Sequence, residues 1–253
     1  MLPLWNPDRL AAKIPFNLAL CGGRRMGKST AMAALVTSYR SKFSLVISFI
    51  GSASCNPVLQ RQLEMWFDDR FFFNSWDIGL MKRLLAQQEE LKGAGHTRHV
   101  LIIVDDVVLG GKECDQLSHL CQRGRHFDIS VMMCCVSYTN VPKPARRSLD
   151  TVLLFSLPMQ GDLQILTWEF TTRADMARFA LNNLKDHECL VLETLNKTQC
   201  LYLWTAPLTT LGSLETLGGI CRNGLKTGVS RETPLVDSEG PRRSKTSLVS
   251  GNK

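Results

Sequence analysis

Gly22-Gly23-Arg24-Arg25-Met26-Gly27-Lys28-Ser29 satisfies the pattern G-x-x-x-x-G-K-[S/T] at every fixed position. Gly22 and Gly27 let the main chain bend tightly, so that successive N–H groups can point at phosphate oxygens. Lys28 adds a point charge suited to the β- and γ-phosphates of ATP, and the Ser29 hydroxyl can ligate Mg²⁺. Thr30 follows, placed for the α-phosphate region. The pattern has meaning only between a strand and a helix. Asn17–Cys21 is a short apolar run, and Lys28 to Lys42 spaces Met32, Leu35 and Tyr39 as one helical face. The start of that helix directs its positive end at the same phosphates.

Such a loop needs an acidic partner at the end of a neighbouring strand. Val100-Leu101-Ile102-Ile103-Val104-Asp105-Asp106 supplies an aliphatic run closed by two carboxylates. Asp105 is expected to hold Mg²⁺ with Ser29, and Asp106 to orient or deprotonate an attacking water. Two acids here favour hydrolysis over nucleotide binding alone, with ATP and Mg²⁺ as the implied ligands.

The elements that must position these groups alternate along the chain. Strands are expected at Asn17–Cys21, Ser44–Ile50, Val100–Val104, Ile129–Val136 and Thr151–Leu157, and helices at Lys28–Lys42, Trp76–Leu91 and Cys114–Gly124. Strands alternating with helices give an α/β fold of the P-loop NTPase kind, a mostly parallel sheet flanked by helices. Beyond Pro158, helices at Asp162–Phe170 and Arg173–Leu184 precede a strand pair, Glu188–Thr194 and Gln199–Thr205, around Asn196–Lys197. This divides the chain into an N-terminal segment at 1–15, an ATPase domain at 16–221 and a tail at 222–253.

The 253 residues carry 30 Lys and Arg against 23 Asp and Glu, a net +7 that makes a polyanionic partner plausible. Seven of the basic residues and three of the acidic ones fall after residue 221, so the tail reads as disordered and basic. It could grip DNA through phosphates with salt-sensitive affinity, or simply solubilise the chain. Nine cysteines without a secretory signal read as reduced thiols rather than a disulfide framework. The longest apolar runs fall far short of the ~20 residues of a membrane span, so a soluble, intracellular, non-secreted protein is expected. Cys114, His119, Cys121 and His126 lack the tight C-x₂₋₄-C spacing of a zinc knuckle and read as helix positions. The cluster Trp66, Phe67, Phe71, Phe72 and Phe73, interleaved with Asp68 and Asp69, reads as core packing or a subunit contact rather than a stacking platform for bases.

Two further segments narrow the class. A helix ends in Arg123-Gly124-Arg125-His126, a buried strand follows, and then come Ser137-Tyr138 and Val141-Pro142-Lys143-Pro144-Ala145-Arg146-Arg147-Ser148-Leu149-Asp150. From about Asn17 to Trp204 this arrangement resembles the genome-packaging ATPases of poxviruses and other large DNA viruses, within the FtsK–HerA superfamily of DNA-pumping motors. The resemblance implies a RecA-like core, a homo-oligomeric ring, double-stranded DNA as cargo and a capsid or portal-vertex protein as partner. It also implies a polar sensor, commonly Gln, at the end of the strand after the acids. Val136 stands there, so either Ser137 takes that role or γ-phosphate sensing is weakened. Ring ATPases complete their sites with a neighbour's arginine. Arg123, Arg125, Arg146 and Arg147 are the candidates, Arg125 first and Arg147 second, with Arg125 expected beside the nucleotide edge of the sheet. Two other readings use the same loop: a small-molecule or nucleotide kinase, which would want a lid between Asp106 and Asp150, and a non-catalytic nucleotide-gated scaffold.

Overall fold

The aliphatic run that ends in Asp105 is buried along its whole length, and the sheet around it explains why. The structure, a computed structural model, describes residues 2–51, 60, 63–65, 67–156, 160–170, 174–185, 187–193 and 200–207. The chain divides into two units, Met1–Thr210 and Leu211–Lys253. The second unit and the basic segment at 222–253 lie outside the described residues, as do Trp66 and the Asn196–Lys197 turn.

Eight strands form one sheet: β1 (Asn17–Cys21), β2 (Leu45–Ile50), β3 (Phe72–Phe73), β4 (Val100–Asp105), β5 (Ile129–Cys135), β6 (Thr151–Leu154), β7 (Glu188–Glu193) and β8 (Cys200–Thr205). Their order is β3-β2-β4-β5-β1-β6-β7-β8. The first six are mutually parallel, while β7 and β8 are an antiparallel extension. Parallel strands need crossovers that cover both faces of the sheet, which is why Val100–Val104 can be apolar on every side. The helices are α1 (Asp8–Ala11), α2 (Lys28–Tyr39), α3 (Ile78–Gly93), α4 (Gly111–Arg123), α5 (Lys143–Arg146), α6 (Gln160–Phe170) and α7 (Ala174–Asn182).

Alternation along the strands sorts the core into two layers. Leu18, Leu20, Leu101, Ile103, Met132 and Cys134 face α1 and α2, while Ala19, Cys21, Ile102, Val104, Val131 and Met133 share the other layer with Met81, Leu117, Ala145 and Leu166 from α3 to α6. Each well-buried aliphatic side chain contributes roughly 1.5–3 kcal/mol. Aromatic residues finish the β3 edge: Phe49 lies 4.7 Å from Trp76 and 5.6 Å from Phe73 between ring centroids. Phe71 and Phe73 pack against the same layer, so their segment is used in packing.

Residues 2–15 lie in the same unit as the sheet. Trp5 is buried, and its indole N–H donates to Glu193 Oε1 at 2.6 Å. The Tyr39 hydroxyl at the end of α2 donates to the Pro7 carbonyl at 2.7 Å. This covering explains why α2 has buried residues at Ala31 through Val36 instead of a single apolar stripe. On α6 and α7, by contrast, Trp168 and Phe179 are largely exposed.

Gly51 closes β2 against the turn that carries the acids. Its N–H donates to the Asp105 carbonyl at 2.9 Å, and a Cβ placed on it would stand 2.1 Å from the Asp106 carbonyl oxygen. Main chain cannot yield as a flexible side chain can. Gly51→Ala is therefore expected to destabilise the protein by about 1–3 kcal/mol, read as a lowered midpoint in urea denaturation; an unchanged midpoint would refute the constraint.

Candidate functional site

At the carboxyl end of β1 the chain enters the glycine loop. The Gly22 N–H donates to the Cys135 carbonyl at 3.2 Å and the Gly23 N–H to the Ser156 carbonyl at 2.9 Å, which ties the loop to the ends of β5 and β6. A Cβ on Gly22 would stand 2.6 Å from the Phe155 Cβ, so no other residue fits without a shift. Arg25 and Gly27 both take left-handed backbone conformations, with φ of 63° and 90°. Gly27 is the N-cap of α2 and brings no side chain to cap it, which leaves the first N–H groups of the helix to another acceptor. Lys28 Nζ donates to the Gly22 and Gly23 carbonyls at 2.8 and 2.6 Å. The Lys28 ammonium thus lies against the loop's own carbonyls at the start of α2, while Arg24, Arg25 and Met26 are exposed.

The acids arrive from β4, with β5 between it and β1. At about 4.8 Å per strand this sets them roughly 10 Å across from the loop strand, room enough for a phosphate and a cation. Asp105 is buried and paired in register with Cys134, whereas Asp106 is exposed in a left-handed conformation. By alternation Asp105 projects to the α2 side with Leu101 and Ile103. Cys134 stands on that side too. Burial pushes its thiol well above the usual range, the Asp105 carboxylate pushes the same way, and Lys28 opposes them. Lys28 and Asp105 therefore act on one sulfur from the two sides, with β5 between them. Their hard oxygen and ammonium groups, with the Ser29 hydroxyl, are the donor chemistry that Mg²⁺ and a triphosphate require.

Val136 is half-buried and lines a 110 Å³ cavity with Asp106, Val107, Cys135 and Asn140. The Ser137 hydroxyl is hydrogen-bonded to Thr139 Oγ1 at 2.8 Å, and Thr139 Oγ1 donates to Asp162 Oδ1 at 3.0 Å. The same Asp162 carboxylate accepts from the Tyr138 N–H at 3.2 Å. The Tyr138 hydroxyl donates to Glu169 Oε2 at 2.7 Å, and both burial and this bond raise its pKa. The segment after β5 is thus tied to α6 by two carboxylates that sequence spacing did not single out. Cys134 and His187 were missed too. His187 has a φ of 64° in a tight turn where the Glu188 N–H donates to the Lys185 carbonyl. Its Nδ1 would stand 3.3 Å from a Cβ on Gly27. Beside it a 510 Å³ pocket opens off the loop, bounded by Arg25, Met26, Ser156, Leu181 and His187.

The arginines are elsewhere. Arg125 precedes β5 and Arg147 precedes β6, so both stand at the amino-terminal edge of the parallel strands, opposite the loop and the acids. At about 3.3 Å per residue the seven residues of β5 hold Arg125 on the order of 20 Å from the nucleotide edge. The expectation that Arg125 lies beside that edge is corrected here: a residue that enters a parallel strand and one that leaves it are at opposite ends. Arg125 and Arg147 instead border a 440 Å³ cleft with Lys13, Asn17 and Asp150. Burial raises the Asp150 pKa, against the Asn17 N–H, Lys13 and Arg125, which lower it. Arg146 is buried, 5.0 Å from the centroid of the Tyr138 ring and 3.8 Å from Glu169 Oε1, so it is not available to a neighbour. Arg123 is exposed at the end of α4, also on the far edge.

Known proteins share both sequence and architecture with this chain. Over 157 residues it is 24% identical to the DNA packaging protein OPG160 of monkeypox virus, covering 57% of this chain and 49% of that protein. The same identity relates it to DNA packaging protein OPG160 of vaccinia virus strain Copenhagen, of which 54% is covered. The chain thus spans about half the length of the curated relatives it matches. Among solved structures, B204, the DNA-packaging ATPase from Sulfolobus turreted icosahedral virus, superimposes with a TM-score of 0.53 at 13% identity, over 75% of this chain and 98% of its own. EssC (ATPases 2 and 3) from Geobacillus thermodenitrificans gives 0.55 at 15%, over 82% and 43%. Those likenesses establish the fold, the mostly parallel sheet of a P-loop ATPase. Residues 5–176 match the family described as poxvirus A32 protein, and with well over half of its length so matched, the chain belongs to the poxvirus A32 protein family.

Proposed function

We propose that this chain is an ATP-hydrolysing motor that translocates double-stranded DNA, packaging a viral genome into a capsid. The observation that carries the reading is the convergence of Gly22–Thr30 and Asp105–Asp106 on one sheet edge with β5 between them. The relatives named DNA packaging protein and the B204 fold support the choice of substrate.

The roles follow from position. The first N–H groups of α2 and Lys28 bind the phosphates, and Lys28 neutralises charge gathering on the γ-phosphoryl group. Ser29 and Asp105 would hold Mg²⁺, which when bound supplies positive charge to the same oxygens. Asp106, exposed at the mouth of the cavity lined by Val136 and Asn140, orients the attacking water and takes its proton. Because the γ end is held toward β4, the nucleoside end lies on the other side of β1, toward the pocket of Arg25, Ser156 and His187. Arg125 and Arg147 are too far from their own loop to serve it, so their part in catalysis is across a boundary between copies in a homo-oligomeric ring. A capsid or portal-vertex protein is the proposed docking partner and the virion or the infected cell the proposed location; no helix among the described residues is long and apolar enough to cross a membrane.

The kinase alternative is disfavoured by a specific feature. Between Asp106 and Asp150 the chain is taken up by α4, β5 and α5, all part of the sheet and its cover, with no lid-sized insertion. The scaffold alternative rests on Val136, which offers no hydrogen bond to a γ-phosphate.

ATP hydrolysis by the purified chain is expected to rise when double-stranded DNA is added and to be abolished by Lys28→Ala with the fold intact. Asp106→Asn should retain Mg-ATP binding and slow turnover by about 100-fold, while Asp105→Asn should weaken Mg²⁺-dependent binding. Steady-state ATPase and nucleotide-binding titrations check these outcomes; binding without turnover in the unmodified protein would favour the scaffold, and turnover only with an acceptor the kinase.

A mixing experiment tests the arginines. Arg125→Ala is expected to bind ATP normally and hydrolyse it poorly. Doping Lys28→Ala subunits into it should restore activity, because some boundaries then pair an intact loop with an intact arginine. ATPase that never exceeds that of either pure variant, in mixed oligomers verified by mass, would exclude Arg125 and leave Arg147.

A further inference from the structure

Three thiols surround the root of the glycine loop, and alternation assigns them different surroundings. Cys134 points to the α2 side, toward Lys28 and Asp105. Cys21 and Cys135, paired in register across β1 and β5, both point to the other side. There their sulfurs are 3.0 Å apart. Cys135 Sγ also donates weakly to the Leu20 carbonyl at 3.7 Å, which turns it further toward β1. Cys21 is fully buried and is the last residue before Gly22. Cys135 is only half-buried and forms part of the wall of the 110 Å³ cavity that Asp106, Val107 and Asn140 share. At about 30 Å³ per water, that space admits a small peroxide.

We infer that Cys21 and Cys135 form an oxidisable dithiol, a modification site for small hydroperoxides whose disulfide tethers the strand that carries the phosphate loop to β5. The Cys135 sulfur, reached through the cavity, attacks the near oxygen of the hydroperoxide. An S–O bond forms, the O–O bond breaks, and the thiol proton leaves with the departing oxygen, as water from hydrogen peroxide or as an alcohol from an organic hydroperoxide. The Cys21 sulfur then attacks the Cys135 sulfur: the S–S bond forms, the S–O bond breaks, and the released hydroxide takes the Cys21 proton as water. Two thiols are oxidised by two electrons and one hydrogen peroxide is reduced to two waters. Cys135 acts first because it is the accessible partner, while the contact with Cys135 and burial raise the Cys21 thiol's pKa, so Cys21 reacts second, against the oxidised sulfur already beside it.

Bond formation draws together two strand ends that now stand at non-bonded distance. The N–H of Gly22 already rests on the Cys135 carbonyl at 3.2 Å, so a shift there is passed directly to the loop. Displacements on the order of 1 Å at a reacting site cost up to about 100-fold in rate. Cys114 and Cys200, the other described thiols that reach solvent, are far along the chain and serve as internal controls.

The test is peptide mapping of the full chain after hydrogen peroxide treatment, with Cys134→Ser as background so that the Cys135 peptide carries one thiol. The expected result is a Cys21–Cys135 linked peptide that dithiothreitol reverses and that is absent from Cys135→Ser. A Cys135 found as sulfinic acid, or peroxide consumed only at Cys114 and Cys200, would overturn the inference. This readout does not depend on the proposed motor activity. Where ATP turnover is measured as well, peroxide should lower it about tenfold or more in the unmodified chain, and the ratio of treated to untreated rates should return to about one in Cys135→Ser. A linked peptide with no change in that ratio would leave the disulfide in place and refute its effect on the loop.

Discussion

Between Cys21 and Lys28 the main chain runs so close to Phe155 on one side and His187 on the other that side chains are excluded at two points. Gly22 would strike the Phe155 Cβ at 2.6 Å, and Gly27 combines a φ of 90° with the nearby imidazole. A bare backbone is what lets the chain turn between these two neighbours. The neighbouring strands then serve to brace that backbone. β5 lends the Cys135 carbonyl to Gly22, the end of β6 lends Ser156 to Gly23, and Lys28 closes over both glycine carbonyls.

The same bracing places the carboxylates. Because β5 is shared between β1 and β4, a single hydrogen-bonded register sets both Cys21 against Cys135 and Asp105 against Cys134. Slipping β5 by one residue would exchange its two faces and bring a different side chain between lysine and acid. Gly51 adds a second limit from β2, holding the Asp105–Asp106 turn by main-chain contact alone. The geometry of the site is thus set by backbone registers more than by side-chain contacts.

What could be read from residues alone was what local spacing encodes. The glycine loop, its flanking strand and helix, and the acids at the end of an aliphatic run are short-range patterns, and the structure has them within a few residues of the expected bounds. The end of β5 was overestimated where an apolar residue, Val136, continues past the last paired position. Long-range pairings were invisible. Trp5 and Glu193 are 188 residues apart, and nothing local announces that an indole will seek that carboxylate. The tie of Tyr138 to Asp162 and Glu169 spans a helix boundary in the same way. Arg125 was misplaced for a different reason. Its neighbourhood to a core strand was correct, but a strand has two ends, and in a parallel sheet the residues before it and after it face opposite margins.

That polarity constrains how copies of this chain can meet. The phosphate loop is on one margin of the sheet and the cleft of Lys13, Arg125 and Arg147 on the other. A contact that joins the two is heterologous, head to tail, and cannot be made reciprocally by a pair related by a two-fold axis. Each added copy leaves one margin unmet until the rotation per subunit closes the circle; if the rotation fails to close, the same contact generates an open helix. In the ring proposed above, a substitution that tilts this contact by a few degrees would therefore turn a closed cycle into a filament without touching a single residue of the phosphate loop itself.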